Sequence, residues 1–300
     1  MYVILGATGH TGGVIAETLL QKQQKVRVVG RSKDRLSRFT SKGAEAFEAD
    51  VTDSAALAKA FAGARAVYAL IPPNPASNNV AAYQAEVTSS IANALEQAKV
   101  SHVVALSSVG ADKPDKTGPV VGLHQMEERL AKIPNLNVLS LRAGYFMENT
   151  LPQVEVIKNF GMMAGPVNAD LPLPLIATRD IAAAAAQALL ELNFSGHQTH
   201  ELLGQRDLTY LEMARIIGVA IGKPALAYVQ LPGEQIVQAM TQMGMSKNMA
   251  NLLVEMSDSL NTGYMKPLEP RTAANTTPTP FERFVQDVFL PAFKGQATTA

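Results

Sequence analysis

The stretch that decides the fold is residues 1–31, which read MYVILGATGHTGGVIAETLLQKQQKVRVVGR. A short apolar run, 2–5, leads directly into a glycine-rich turn, 6–13, and apolar residues then recur at helical spacing from Val14. A second apolar run, 26–29, completes a strand–helix–strand unit. A glycine turn at the start of such a helix presents free N–H groups and the positive end of the helix dipole. It therefore predicts a site for a dinucleotide diphosphate.

The glycines of this turn have different predicted tasks. Gly6 makes the sharp exit from the strand, and Gly9 lets the backbone approach a pyrophosphate closely. Either Gly12 or Gly13 lets the helix pack tightly on the sheet. The residues of the turn that we predict to contact the cofactor are Gly6, Thr8, Gly9, His10, Thr11 and Gly12.

The residues after the second strand indicate which dinucleotide binds. An NAD enzyme carries an acid here for the ribose hydroxyls, but this chain has Gly30 followed by Arg31 and Ser32. A guanidinium offers several donors to phosphate oxygens, so Arg31, with Ser32 and Arg35, predicts a 2′-phosphate site and hence NADP(H). The alternative is that these are solvated loop bases.

Composition limits the possible functions. The chain has 300 residues, 47% of them hydrophobic, and balances 26 basic against 26 acidic side chains, so nothing suggests a nucleic-acid partner or an anionic membrane surface. It has no cysteine, which excludes disulfides and thiolate metal sites, and its five histidines form no metal-ligand pattern, so we predict no metal. The first strand is predicted to start at residue 2, so we expect no signal peptide. No apolar run approaches the ~20 residues of a membrane span, and we expect a cytoplasmic protein.

Strands alternate with helices along the first half of the chain. This pattern predicts an α/β fold with a Rossmann-type doubly wound parallel sheet, strand order 3-2-1-4-5-6, and a smaller C-terminal α/β lobe. The domain prediction is an NAD(P)-binding domain over 1–150 and a substrate-binding lobe over 151–300, with residues near 178–205 as candidates to return to the first domain. Strands three to six are predicted at residues 44–47, 65–71, 102–107 and 136–141.

The second half has shorter elements. Thr209 and Glu212 form a capping-box pattern before a predicted helix over 210–220. Further helices are predicted over 180–190, over 233–260 with a break near Gly244, and over 281–293. Short strands are predicted at 200–203 and 227–231.

Several motifs together resemble the NmrA-like family of atypical short-chain dehydrogenase/reductases, and the resemblance covers nearly the whole chain. It implies an NADP(H)-binding Rossmann domain with a small C-terminal lobe. It also implies either a reductase of quinones, azo dyes or triphenylmethane dyes, or a redox-sensing regulator that binds the dinucleotide without turnover. The motifs are GATGHTG at 6–12, GR at 30–31, DVTD at 50–53, VALSS at 104–108, LRAGYFMEN at 141–149 and TRDI at 178–181.

The same resemblance implies further site residues. Asp50 contacts the adenine amine and Val51 packs on the ring, although Asp50 is equally typical of a loop or helix-cap acid. Strand four ends in residues that face the cofactor ribose and nicotinamide, and strand five ends near the position of the superfamily's catalytic serine. These residues are Leu70, Ile71 and Pro72 for strand four, with Ser107 as a cofactor contact and Ser108 as a catalytic candidate for strand five.

One feature of the superfamily is missing. Its usual chemistry needs a tyrosine four residues before a lysine, and none of the seven tyrosines here has a lysine at that spacing. Alcohol dehydrogenation and sugar epimerisation are therefore disfavoured. His124, on the corresponding helix, is the candidate substitute as a proton donor, and its alternative is a place on the helix surface.

A conjugated acceptor removes the need for an enzymic acid. A quinone or dye delocalises the incoming charge, so the protein has only to bind and align both reactants. Tyr145, Phe146, Met147 and Asn149 are predicted to form the floor of the acceptor site. The methionines of the small lobe are either adjustable walls of that site or, for most of them, core. A dinucleotide-sensing regulator is the competing function, and the sequence does not decide the oligomeric state.

Overall fold

The computed structural model describes residues 1–296, in which seven strands form one parallel sheet in the order β10-β6-β5-β4-β1-β2-β3. The predicted order 3-2-1-4-5-6 is confirmed, and β10 extends it at the β6 edge. The strands are β1 (Tyr2–Ile4), β2 (Val26–Gly30), β3 (Glu45–Glu48), β4 (Ala66–Ala69), β5 (His102–Ser108), β6 (Asn137–Ala143), β7 (Tyr145–Phe146), β8 (Met163–Gly165), β9 (Leu173–Ile176), β10 (His197–Leu202), β11 (Asp207–Leu208) and β12 (Tyr228–Gln230).

Helices cover both faces of this sheet. Successive strand residues point to opposite faces, so Ile4 packs toward α1 and α7 whereas Val3 and Leu5 pack toward α3, α4 and α5. The helices are α1 (His10–Gln21), α2 (Lys33–Thr40), α3 (Ser54–Phe61), α4 (Val80–Gln97), α5 (Val121–Ala131), α6 (Gln153–Phe160), α7 (Thr178–Glu191), α8 (Tyr210–Ala220), α9 (Gly233–Gln242), α10 (Lys247–Asn261), α11 (Phe281–Phe284) and α12 (Leu290–Phe293).

The smaller lobe has its own core. Its small sheets are β11-β9-β7 and β12-β8, and α8 and the C-terminal helices pack around them. The predicted capping box of Thr209 and Glu212 is present, and the predicted break between α9 and α10 contains Gly244. The predicted last helix is continuous over 281–293, but its middle, Val285–Phe289, is π-helical.

The chain returns from the small lobe to the large sheet. Helix α7 packs against α1, and β10 pairs with β6 from His197 beside Val138 to Leu202 beside Ala143. The predicted strand at 200–203 thus begins earlier and belongs to the main sheet. The sequence offered residues near 178–205 as candidates to return to the first domain, without naming β6 as the strand that they pair with.

Two carboxylates, one partly buried and one buried, hold α7 against neighbouring segments. Glu148 of the LRAGYFMEN motif accepts hydrogen bonds from the N–H and the Oγ1 of Thr178, the first residue of the TRDI motif. Asp180 of the latter accepts from the N–H and Oγ1 of Thr279 at 2.9 and 2.7 Å. Both acids stabilise the junction between α7 and the small lobe.

The segment before the last helices lies along the outer edge of the sheet. Glu201 of β10 is buried, and its carboxylate accepts the N–H groups of Leu268 and Glu269. The N–H of Leu203 donates to the carbonyl of Asn275 at 2.8 Å. This segment therefore covers part of the β10 edge, which would otherwise present unpaired backbone groups.

Across residues 1–296, no helix combines the length and the apolar character needed to cross a membrane.

Candidate functional site

The glycine turn joins β1 to α1 and is open to solvent at its tip. Gly6 has φ +63°, a backbone conformation that favours glycine, and Gly9 is extended with its N–H bonded to the carbonyl of Gly6 at 2.9 Å. Thr8, Gly9 and His10 are exposed. Because the first turn of a helix leaves its N–H groups without intrahelical partners, the start of α1 can bind an anion at this point.

The structure distinguishes the two adjacent glycines of α1. A Cβ on Gly12 would lie 2.5 Å from the carbonyl oxygen of Gly6 and 2.7 Å from that of Leu5. A Cβ on Gly13 would instead lie 2.9 Å from Nη2 of Arg38 and 3.1 Å from the carbonyl oxygen of Ala7. Gly12 is therefore the residue that lets α1 pack directly on β1, and Gly13 makes room for an arginine side chain.

The side chain and the backbone of Thr11 have different roles. The Thr11 hydroxyl is buried and accepts a hydrogen bond from the hydroxyl of Tyr68 on β4, at 2.9 Å. Burial raises the pKa of Tyr68 well above its ordinary value. The side chain thus fastens the turn to the neighbouring strand, and the backbone N–H is the group that Thr11 offers a ligand.

The end of the sheet at β2 and β3 brings together an arginine, an acid and a tyrosine. Asp50 accepts hydrogen bonds on one oxygen from the N–H and Oγ1 of Thr52, at 3.0 and 2.8 Å. The Thr52 N–H lowers the pKa of Asp50, and the nearby charge of Arg31 acts in the same direction. These two hydrogen bonds agree with the alternative role of Asp50 as a loop acid, and they involve one of its two carboxylate oxygens. Arg31 and Arg35 are exposed, and Ser32 is the N-cap residue of α2.

Tyr83 on α4 is a member of this group that sequence reasoning missed. Burial raises the pKa of Tyr83, and the Asp50 charge raises it further while Arg31 opposes it. Its ring packs on the same side of the sheet as Val51. No motif marks Tyr83, because its position depends on how α4 packs beside α3 on this face of the sheet.

The loop after β4 is held by the small lobe. Leu70 packs over Gly6, whose Cβ position lies 2.9 Å from Leu70 Cδ2. Beyond Ile71 and Pro72, the loop carbonyls accept hydrogen bonds from Ser246, its N–H to Pro75 and its Oγ to Ser77. Asn248 accepts the N–H of Val80 at 2.9 Å. The start of α10 therefore fixes one wall of the predicted cofactor site.

The serines at the tip of β5 are both engaged with the protein. Ser107 is buried and its Oγ donates to Glu127 Oε1 at 2.5 Å. The same carboxylate accepts Nε and Nη2 of Arg142 at 3.0 and 2.6 Å, and both charged side chains are only 11% exposed. Ser108 donates to the carbonyl of Val109 at 2.9 Å. Ser107 thus belongs to a buried ion-pair network that joins α5 to β5 and β6.

His124 lines a cleft of about 370 Å³ between α5 and the β6–β10 edge of the sheet. Its Nδ1 lies 2.9 Å from the carbonyl oxygen of Ala111, and because a carbonyl only accepts, that nitrogen carries a hydrogen. Its Nε2 lies 3.6 Å from a carboxylate oxygen of Glu128. The contacts of His124 are thus with its own helix and with Ala111. The cleft is also lined by the charged side chains of Asp112, Glu127 and Arg142 and by the imidazole of His197.

The residues predicted as the acceptor's floor have different environments. The Tyr145 hydroxyl bonds to the Tyr210 hydroxyl at 2.9 Å, and Met147 is 1% exposed in the small-lobe core. Phe146 packs against the side of the sheet that faces α1 and α7, and Asn149 is exposed. For the methionines, Met163 is fully buried whereas Met243 is 72% exposed. Met163 is therefore a core residue rather than a wall of the acceptor site.

The buried tyrosines give the protein an expected sensitivity to alkali. Burial raises the pKa of Tyr145 and of Tyr210, which stacks on Tyr228 with 4.4 Å between ring centroids. The unfolded chain loses these protons near pH 10 while the folded one keeps them, so stability falls above that pH by about 1.4 kcal/mol per pH unit for each such group. Urea unfolding at pH 9, 10.5 and 11 measures the slope. Tyr210→Phe should make it shallower, and an unchanged slope would contradict the assignment.

Comparison with known proteins identifies the class. The chain belongs to the NmrA-like family, whose model matches residues 2–284. It is 26% identical over 260 residues to an NAD(P)H azoreductase of Xenophilus azovorans, covering 85% of this chain and 86% of that protein.

Two solved structures share the fold. One is an NADPH-dependent quinone oxidoreductase of Escherichia coli complexed with NADPH, with TM-score 0.82, 22% identity and coverage of 96% of this chain and 100% of that one. The other is a Citrobacter triphenylmethane reductase complexed with NADP(H), with TM-score 0.80, 19% identity and coverage of 95% and 99%. The parallel sheet with helices on both faces is thus the fold of these reductases, as the sequence predicted.

Proposed function

We propose that the protein is an NADPH-dependent reductase that transfers a hydride to a quinone-like or conjugated aromatic acceptor. The observation that carries the proposal is the exposed glycine turn at the start of α1, next to a strand end that presents Arg31 beside Asp50. Membership of the NmrA-like family supports it, as do the names of its relatives: an azoreductase, a quinone oxidoreductase and a triphenylmethane reductase.

The chain's residues fit NADP(H). The α1 N–H groups and Gly9 suit the diphosphate, since a Cβ on Gly9 would already lie 3.3 Å from the Gly6 carbonyl oxygen and the outer face is exposed. Arg31, with Ser32 and Arg35, suits the 2′-phosphate. The remaining proposed contacts are Asp50 and Val51 with the adenine, and Leu70, Ile71, Pro72 and the backbone of Ser107 with the ribose and nicotinamide.

The proposed mechanism needs alignment rather than a protein acid. When bound, NADPH supplies the hydride from C4 of its nicotinamide. The loop held by α10 positions the cofactor, Tyr145 is the proposed floor for a flat acceptor, and alignment of two reactants contributes a large part of the rate. The quinone oxygen receives its proton from water after the charge has been delocalised. Neither Ser108 nor His124 has to donate a proton in this scheme.

The direct test is turnover. The purified protein is mixed with NADPH and a panel of quinones, azo dyes and triarylmethane dyes, and absorbance at the nicotinamide band is followed. Consumption of NADPH that depends on the acceptor supports the reductase. Tight binding of NADPH without turnover of any acceptor supports the alternative, a dinucleotide-sensing regulator, which the missing tyrosine–lysine pair favours.

Arg31→Asp is expected to weaken NADPH binding at least tenfold and to leave NADH binding nearly unchanged. A charge-assisted hydrogen bond to a phosphate contributes enough for that factor, and NADH lacks the 2′-phosphate. Calorimetric titration with both dinucleotides gives the ratio. Lys33→Asp, a charge reversal two residues away, is the matched control. Equal losses for NADPH and NADH would refute the assignment of Arg31 to the 2′-phosphate.

His124→Gln and Ser108→Ala are expected to keep quinone reduction within about tenfold of the parent rate. Loss of a true general acid lowers turnover by roughly 10²–10⁴-fold. Steady-state rates with one quinone and one azo dye make the comparison. A drop of a hundredfold for His124→Gln alone would show that this histidine supplies a proton after all.

A further inference from the structure

The guanidinium of Arg38 lies against the glycine turn. Its Nη2 is 3.4 Å from the carbonyl oxygen of Ala7, and a Cβ on Gly13 would come within 2.9 Å of the same nitrogen. Arg38 is in the last turn of α2. Side chains on a helix lean toward its N-terminus, so Arg38 reaches back toward the end of the sheet where Arg31 and Ser32 lie.

The surroundings of Arg38 leave its charge available. The guanidinium carbon of Arg38 is 4.6 Å from the centroid of the Phe39 ring, and Arg38 is exposed. A carbonyl oxygen and a ring face are its partners in the structure, and neither carries a negative charge. The carbonyl takes up one of the five N–H donors, so the rest of the fork can meet a ligand. By contrast, Arg142 is neutralised by a carboxylate.

The local charge is strongly positive. Residues 31–38 read RSKDRLSR, with four bases and a single acid, in a chain whose net charge is zero. Like charges concentrated on one short segment repel one another, and an anion bound between them reduces that repulsion. A phosphate that is contacted by more than one guanidinium removes that repulsion and uses the planar donor fork of each.

We propose that Arg38 is a second 2′-phosphate ligand, acting with Arg31 on NADP(H), and that the glycine at position 13 leaves room for the Arg38 guanidinium beside the turn. This inference rests on the proposed NADP(H) binding and adds a specificity-determining residue to that site. Sequence spacing alone did not include Arg38, since seven residues separate it from Arg31.

The test compares dissociation constants for NADPH and NADH by calorimetry. Arg38→Gln should weaken NADPH about tenfold and change NADH less than twofold. Gly13→Ala should weaken NADPH in the same way, and the double variant should be no worse than Arg38→Gln, because both changes remove one contact. Lys42→Gln, which removes a positive charge just beyond the same helix, is the matched control and should bind NADPH like the parent. Circular dichroism verifies that each variant is folded.

The outcomes separate the inference from the function on which it rests. If the parent protein binds NADPH no better than NADH, the proposed NADP(H) preference fails. If the parent prefers NADPH and Arg38→Gln keeps that preference, only the inference fails. Equal weakening of both dinucleotides by Arg38→Gln would place the contact at the diphosphate and would also overturn it. Fully additive losses for Gly13→Ala and Arg38→Gln would contradict the role given to Gly13.

Discussion

Replacing Gly12 by alanine is expected to lower the free energy of unfolding by about 3 kcal/mol and to abolish dinucleotide binding. The added Cβ would lie 2.5 Å from the Gly6 carbonyl oxygen and 2.7 Å from that of Leu5. Both are backbone atoms of the strand and turn, so no side-chain rotation relieves the clash. Helix α1 has to move away from β1, and its first-turn N–H groups move with it.

Gly9→Ala is the matched control for this prediction. Its Cβ would lie 3.3 Å from the same Gly6 oxygen, and its backbone is extended, so the strain is small. Urea unfolding should therefore show near-parent stability for Gly9→Ala and a large loss for Gly12→Ala. Calorimetry should show weakened NADPH binding for both, since Gly9 faces the proposed diphosphate. Equal stability of the two variants would mean that α1 tolerates displacement.

The second large effect is expected at the buried ion pair of α5 and β6. Arg142→Met should cost about 3–5 kcal/mol of stability. The buried Glu127 carboxylate would lose its positively charged partner and keep the uncharged Ser107 hydroxyl as a hydrogen-bond donor. Removing both charges with Glu127→Met and Arg142→Met together should cost less than the single change. Two apolar side chains there avoid an unpaired buried charge.

An exposed pair on the same helix is the control for that measurement. Arg129 lies 3.1 Å from Glu96, with side chains 32% and 40% exposed. Arg129→Met should change stability by at most about 1 kcal/mol, since water screens the pair. The measurement is the denaturant midpoint of the two single variants, Arg142→Met and Arg129→Met, and of the double variant, compared at an unchanged dependence of the unfolding free energy on denaturant. A loss for Arg142→Met no larger than for Arg129→Met would contradict the role assigned to the network.

Local pattern predicted the parts of the fold that depend on neighbouring residues. The glycine turn and the capping box of Thr209 and Glu212 follow from spacing over a few residues, and the order of the first six strands follows from the alternation of strands and helices in a doubly wound sheet. The pairing of β10 with β6 does not, because a strand's partner 60 residues away leaves no trace in its own sequence. For the same reason the sequence offered residues near 178–205 as candidates to return to the first domain but did not name the strand that β10 pairs with.

The candidate site shows the same division. The exposed end of the turn and the position of Arg31 were predictable from one continuous motif. The partners of Ser107 and Thr11 were not, since Glu127 and Tyr68 come from other elements of the fold. Arg38 was overlooked because its approach to the turn depends on the absence of a side chain at Gly13. The role of a side chain that contacts a distant element of the chain becomes visible only in the folded structure.

The return of α7 and β10 to the first half of the chain bears on how this protein can be dissected. A fragment that stopped at residue 150 would leave the apolar side of α1 and the free edge of β6 open to water. Such a fragment would also lose the hydrogen bonds that the Glu148 carboxylate accepts from Thr178 of α7. Swapping halves between relatives would thus exchange part of the sheet along with the small lobe, so chimeras should be cut around α7 and β10 rather than at the midpoint.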